Sequence, residues 1–112
     1  MNINQLMQQA QKMQKDMKKS QDEVAAMTFT SKQELVEVEM DGNKKVKRIT
    51  INKDIEKDDI EALEDMILIS INDCINQVDK TMENKLGKYA NMMPGLFWYE
   101  ISKEFKWINR ML

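Results

Sequence analysis

The chain has no histidine, one cysteine, one proline and three glycines in 112 residues. Each shortage excludes something. Without histidine there is no imidazole general base, no His-activated Ser or Cys nucleophile, and none of the commonest metal ligand. The lone Cys74 can neither close a disulfide within the chain nor build a structural zinc site, and it suits a reducing compartment. The glycines, at 42, 87 and 95, stand too far apart for a phosphate-cradling loop. No apolar run approaches the roughly 18–20 residues that a membrane-spanning helix requires. The polar start (Asn2, Asn4, Gln5) has no secretory apolar region. Asp58, Asp59, Glu61, Glu64 and Asp65 crowd together, but acids in the first turn of a helix are favoured there without any metal. The expectation is a soluble, non-enzymatic binding protein with no cofactor, metal, membrane or small-molecule substrate.

What is present is helical, charged and apolar in stripes. Hydrophobic residues make up 42% and charged residues 32%, a mixture typical of folded, well-solvated structure and not of disorder. A chain this size buries only about 60–65% of its unfolded surface, so a second copy is a natural way to enlarge its core. The formal net charge of −2 conceals a strong asymmetry. Residues 1–53 hold ten Lys/Arg against seven Asp/Glu, and residues 54–112 hold seven against twelve. Lys44 to Lys53 contains five cations and no acid, while Asp54 to Asp65 contains seven acids and one lysine. This pattern permits a basic face for phosphates, and equally a salt-bridge pattern within or between chains.

Ile3, Leu6, Ala10, Met13, Met17, Ser20, Val24 and Met27 follow a 3-4 spacing, which predicts a helix over residues 3–27. Its soft seam calls for a partner helix. Lys12, Lys15, Lys18 and Lys19 point away from the seam, as a solvated face or a phosphate-contacting stripe. Residues 28–33 read as a short β segment. Val36, Val38 and Met40 alternate on the next strand, Asp41-Gly42-Asn43 reads as a turn whose residues tolerate positive φ, and residues 44–51 form the return strand. In that strand Lys45, Lys47, Ile49 and Ile51 are expected on one face, and Val46, Arg48 and Thr50 on the other. A lone hairpin is marginal in water and must pack on something. Asp58 or Asp59 is the expected cap of a second long helix whose seam runs through Ile60, Leu63, Ile67, Ile71, Cys74, Val78 and Met82, with Gly87 as its stop. Asp65, Ser70, Asn72, Asp73 and Asn76 interrupt this helix as hydrogen-bonding groups at a helix–sheet or subunit contact. Asn91 to Gly95 reads as a turn. Trp98, Ile101, Phe105, Ile108 and Leu112 repeat the 3-4 spacing, so a short third helix is expected there.

Four of these stretches come in a specific order: Leu6-Met7-Gln8-Gln9-Ala10-Gln11-Lys12-Met13-Gln14; the hairpin from Leu35-Val36-Glu37-Val38 through Gly42 to Val46-Lys47-Arg48-Ile49-Thr50-Ile51; Leu63-Glu64-Asp65-Met66-Ile67 with Ile71-Asn72-Asp73-Cys74; and Pro94-Gly95-Leu96-Phe97. In this order and spacing the chain resembles the YbaB/EbfC family of bacterial nucleoid-associated proteins over residues 3–97. The resemblance implies an α+β fold of long helix, antiparallel hairpin or short three-stranded sheet, and long helix. It implies a homodimer whose hairpins form one joined sheet with helices as projecting arms, binding double-stranded DNA in the cytoplasmic nucleoid. Two features depart from the family. The loop before Leu35, usually Gly-rich, is here Ser31-Lys32-Gln33-Glu34, and residues 98–112 extend past the usual end. The domain division expected is therefore 1–97 for the family-like domain and 98–112 for an aromatic extension. One source of the extension is translation past the usual stop position; a TGG codon for Trp98 would count against it.

The DNA contacts expected on this reading are Lys12, Lys15, Lys18 and Lys19 on the first helix, Lys80, Lys85 and Lys88 near the end of the second, and Lys44, Lys45, Lys47 and Arg48 in the hairpin. They would act by neutralising phosphates, with bridging or bending as possible consequences. Some hairpin cations are also placed to pair with Glu37 and Glu39. The expected dimer interface is Val36, Val38, Met40, Val46, Ile49, Ile51, Ile67 and Ile71. The competing reading is a prefoldin-like chaperone or protein-interaction module whose Met-rich arms hold unfolded chains.

Overall fold

The computed structural model describes residues 2–90, except the side chains of Lys88 and Ala90. The turn expected at Asn91–Gly95 and the helix expected over 98–112 lie outside the described residues. The fold is α+β: α1 (Ile3–Ala25), β1 (Thr28–Lys32), β2 (Val36–Asp41), β3 (Val46–Ile51), a short 3-10 turn (Lys57–Asp59) and α2 (Ile60–Ala90). The strands form an antiparallel sheet in the order β1-β2-β3. By contact density the described chain divides into two compact units, residues 23–81 and residues up to 22 with the end of α2 from residue 82.

The first unit holds the sheet, the last turn of α1 and most of α2. Strand alternation gives the sheet an apolar and a polar face. Phe29 pairs with Met40, Ser31 with Val38, Val38 with Ile49 and Val36 with Ile51. Phe29, Val36, Val38 and Met40 are buried, as are Ser70, Cys74 and Val78 of α2. The Cys74 thiol donates weak bonds to the carbonyls of Phe29 (3.8 Å) and Val38 (3.7 Å). Gln77 Nε2 donates to Thr30 O at 3.0 Å and to Asp73 Oδ2 at 3.1 Å. These bonds hold α2 against the strands at two successive turns of the helix.

The return strand differs from its sequence reading. Met40 pairs with Val46 and Glu39 with Arg48, leaving Lys47 as the extra residue of a β-bulge. The bulge returns Val46 to the apolar face with Ile49 and Ile51. It carries Lys47 to the polar face, where its Nζ donates to Thr28 Oγ1 at 3.2 Å. Period-two counting along β3 alone reverses both residues, because the extra residue exists only relative to β2.

The connecting turn also forms differently from the expectation. The residue with positive φ is Lys44 (φ 64), and no described glycine has one. Asp41 organises the turn: its Oδ1 accepts from the N–H groups of Asn43 (2.8 Å) and Lys45 (3.0 Å). Gly42 is required for a different reason. Its backbone lies against the end of α1, where a Cβ would overlap the Val24 carbonyl and come within 2.6 Å of Ala25 Cα. Its N–H donates to Ala25 O at 3.3 Å. That bond, with Met27 N–H to Val24 O at 3.0 Å, helps cap α1 at Ala25, two residues before the expected end.

A short 3-10 turn leads into α2, and Asp59, one of the two expected caps, is its last residue, directly before Ile60. The turn begins at Glu56, whose N–H donates to Asp59 Oδ2 at 3.1 Å. The helix then runs 31 residues and passes through Gly87, which was expected to stop it. A stopping glycine takes a left-handed φ, and Gly87 does not. Of the expected hydrogen-bonding groups on α2, Ser70 is buried without a partner for its Oγ among the described residues. Asp65, Asn72, Asp73 and Asn76 are exposed.

In the second unit, Met17 of α1 and Met82, Leu86 and Tyr89 of α2 are buried. The helix begins on a side-chain cap, Gln5 N–H to Asn2 Oδ1 at 2.8 Å. The α1 seam is closed at Met17 and open towards its start, with Ile3 75% and Leu6 38% exposed.

Candidate nucleic-acid interface

A surface for a polyanion needs cations that reach solvent without an acid already holding them. Lys12, Lys15, Lys18 and Lys19 are all exposed on α1. Their spacing follows from the seam: with Met13 and Met17 turned inward, these positions fall on the opposite arc. Lys18 pairs with Asp22 at 3.3 Å, both side chains about two-thirds exposed (66% and 64%). Such a pair is worth only about 0.3–0.5 kcal/mol and yields readily to a phosphate. Among the described residues Lys12, Lys15 and Lys19 have no ion-pair partner.

The hairpin cations separate into two kinds. Lys44 is held by Asp79 of α2 at 2.6 Å, its side chain only 27% exposed, so its contact belongs to the fold. Lys45, Lys47 and Arg48 are exposed. Lys47 and Arg48 border a polar face whose middle strand carries acids: Glu39 stands opposite Arg48 and Thr30, and Glu37 opposite Lys32 and Thr50. The central acids weaken the face as an anion site. Sequence reading missed Lys32, which alternation from the buried Phe29 and Ser31 places on this same face. It also missed the Lys44–Asp79 and Gln77–Thr30 contacts, which join positions 35 and 47 residues apart and have no local signal.

On α2, Lys80 is exposed, Lys85 is half-buried with a partner, and the Lys88 side chain is outside the described residues. Among the expected interface residues, Val36, Val38 and Met40 are already covered within one chain. Ile67 and Ile71 are half-buried. Val46, Ile49 and Ile51 stay 41%, 43% and 45% exposed, an apolar row on a strand whose outer edge meets no other strand among the described residues. Among the described residues no group of acids and cysteine is placed to hold a metal ion. Nor is any described helix long and apolar enough to cross a membrane.

The cation-bearing helix, the bulged three-stranded sheet and the second long helix all fall within a stretch that matches a known family, the YbaB/EbfC DNA-binding family, over residues 1–93. The chain belongs to this family. Individual YbaB/EbfC relatives cover nearly their whole length. A nucleoid-associated protein of Lactococcus lactis subsp. cremoris is 44% identical over 97 residues, spanning 84% of this chain and 98% of that protein. A nucleoid-associated protein of Streptococcus thermophilus is likewise 44% identical over the same shares. One from Streptococcus pneumoniae is 43% identical over the same shares.

Proposed function

We propose that this chain is a nucleoid-associated DNA-binding protein that acts as a homodimer and grips duplex DNA mainly through phosphates. The observation that carries the reading is the exposed row Lys12, Lys15, Lys19, without ion-pair partners among the described residues, on a family member whose relatives are named nucleoid-associated. From Lys12 to Lys19 the helix rises about 10 Å, enough to follow several backbone phosphates of one strand. Lys18 joins when its surface pair with Asp22 opens. Lys45, Arg48 and Lys80, in the sheet-bearing unit, are further candidate phosphate contacts, while Lys44 serves the fold.

Dimer formation is supported by β3. A strand that exposes Val46, Ile49 and Ile51 beside an edge unpaired among the described residues is an invitation to pair, and a second copy offers the same surface. Joining the two sheets there covers the apolar row and doubles every basic patch, which lets one dimer contact two segments of a duplex or bend one. Phosphate contacts position the duplex without carrying sequence information, so this mode gives affinity with little direct sequence reading.

The test is duplex affinity of the wild type beside Lys12/Lys15/Lys18/Lys19→Glu, with dimer mass measured for both. The reading expects affinity to fall at least 100-fold while mass and circular dichroism stay unchanged. Equal affinities would refute it.

A further inference from the structure

One seam on α1 is closed at one end and open at the other. Met17 is fully buried, whereas Ile3 is 75% exposed, Leu6 38% and the flanking Met7 52%. Ala10 and Met13, between them, are half-buried. The open part runs about 15 Å along the helix. A stripe of this kind left in water is uncommon unless something covers it.

The chain itself contains a segment of matching pattern. Trp98, Ile101, Phe105, Ile108 and Leu112 repeat the 3-4 spacing of α1, and Lys103, Lys106 and Arg110 fall on the opposite arc, as the lysines do on α1. The family match ends at residue 93, so this segment is additional to the shared body. It follows the end of α2, which belongs to the same compact unit as the open part of α1. Seven residues, 91–97, connect Ala90 to Trp98 and span up to about 23–25 Å, with Pro94-Gly95 suited to reversing direction. A tethered segment competes for the seam at an effective concentration of order millimolar, well ahead of another molecule.

We propose that residues 98–112 fold back as an amphipathic helix and cover the open N-terminal half of the α1 seam. Lys103, Lys106 and Arg110 then face outward, and with Glu100 and Glu104 they leave the segment's charged side chains only one cation in excess. The docking stands whether or not the protein binds DNA, and its test does not involve DNA.

The test uses tryptophan emission of the full chain. Both tryptophans of the protein, Trp98 and Trp107, lie in this segment, so the signal reports it alone. The native emission is expected to lie blue of that in denaturant and to be independent of dilution. In Ile3→Asp/Leu6→Asp it is expected to move to the denatured position, while the helical circular dichroism falls by no more than the share of this one segment. A nitroxide on Met7→Cys, which leaves the core intact because Met7 is exposed, is expected to quench the emission; buried Cys74 stays unlabelled. Native emission already at the denatured position overturns the proposal. So does blue emission with no quenching from position 7. Loss of the blue shift on dilution assigns the contact to a second copy and overturns it equally.

Discussion

Gly42 and Gly87 are the same residue type under opposite constraints. At Gly42 a methyl group meets the backbone of Val24 and Ala25, which cannot move without dislodging the end of α1. Gly42→Ala is expected to cost about 2–3 kcal/mol in urea unfolding, at the upper end for overpacking. At Gly87 a Cβ meets nothing within 4 Å, and the residue is helical. Gly87→Ala is expected to stabilise by about 0.5–1 kcal/mol, measured the same way. Cys74 gives a pH prediction. Burial, with Asp73 adding to it, raises the thiol's pKa above its ordinary value. The folded state therefore keeps its proton where the unfolded chain has lost it. Stability from this group is complete below the ordinary thiol pKa and falls as pH rises through it. Cys74→Ala is expected to remove that alkaline decline, seen by comparing urea midpoints at neutral and alkaline pH. The native thiol should also react with a thiol reagent only as fast as the unit opens. These residue-scale features were hardly visible in the sequence. Asp41-Gly42-Asn43 reads as a turn, but the left-handed position fell on Lys44 and the need for glycine came from a helix that ends seventeen positions upstream.

The elements were far more legible. The 3-4 spacing from Ile3 to Val24 located α1 within two residues at its end, and the alternation of Val36, Val38 and Met40 located β2 and its buried face. Periodicity reports the burial of a side chain, and burial is what organises these segments. It fails where one element is defined by another. The bulge at Lys47 depends on pairing with β2, and Gln77 bonds a β1 carbonyl that no local pattern foretells. The exposed row of β3 yields the element-scale prediction. Ile49→Glu places a charge where a second sheet would join, while Ile49 is already 43% exposed in one chain. Sedimentation is expected to show half the wild-type mass at micromolar concentration, with the circular dichroism of the folded chain retained. Wild-type mass in this variant would move the contact elsewhere.

For the whole molecule, a net charge of −2 argues against binding a polyanion only if charge is averaged over the surface. The structure does not average it. Acids gather at the start of α2 and along the middle strand, where they cap a helix or face cations across the sheet. Three lysines of α1 remain without acid partners among the described residues. The ordered motifs made the family legible, and the candidate cations were found, but which of them already serve the fold was not legible. What removes Lys44 but not Lys45 from the candidate contacts is its ion pair with Asp79, thirty-five positions away. The account rests on lysines displacing the counterions condensed on the duplex phosphates. The measurement that addresses this most directly is the duplex affinity of the wild-type protein across a range of salt concentration. With seven phosphates neutralised, the log–log slope should be about −6. Affinity that stays level as salt rises would contradict the account.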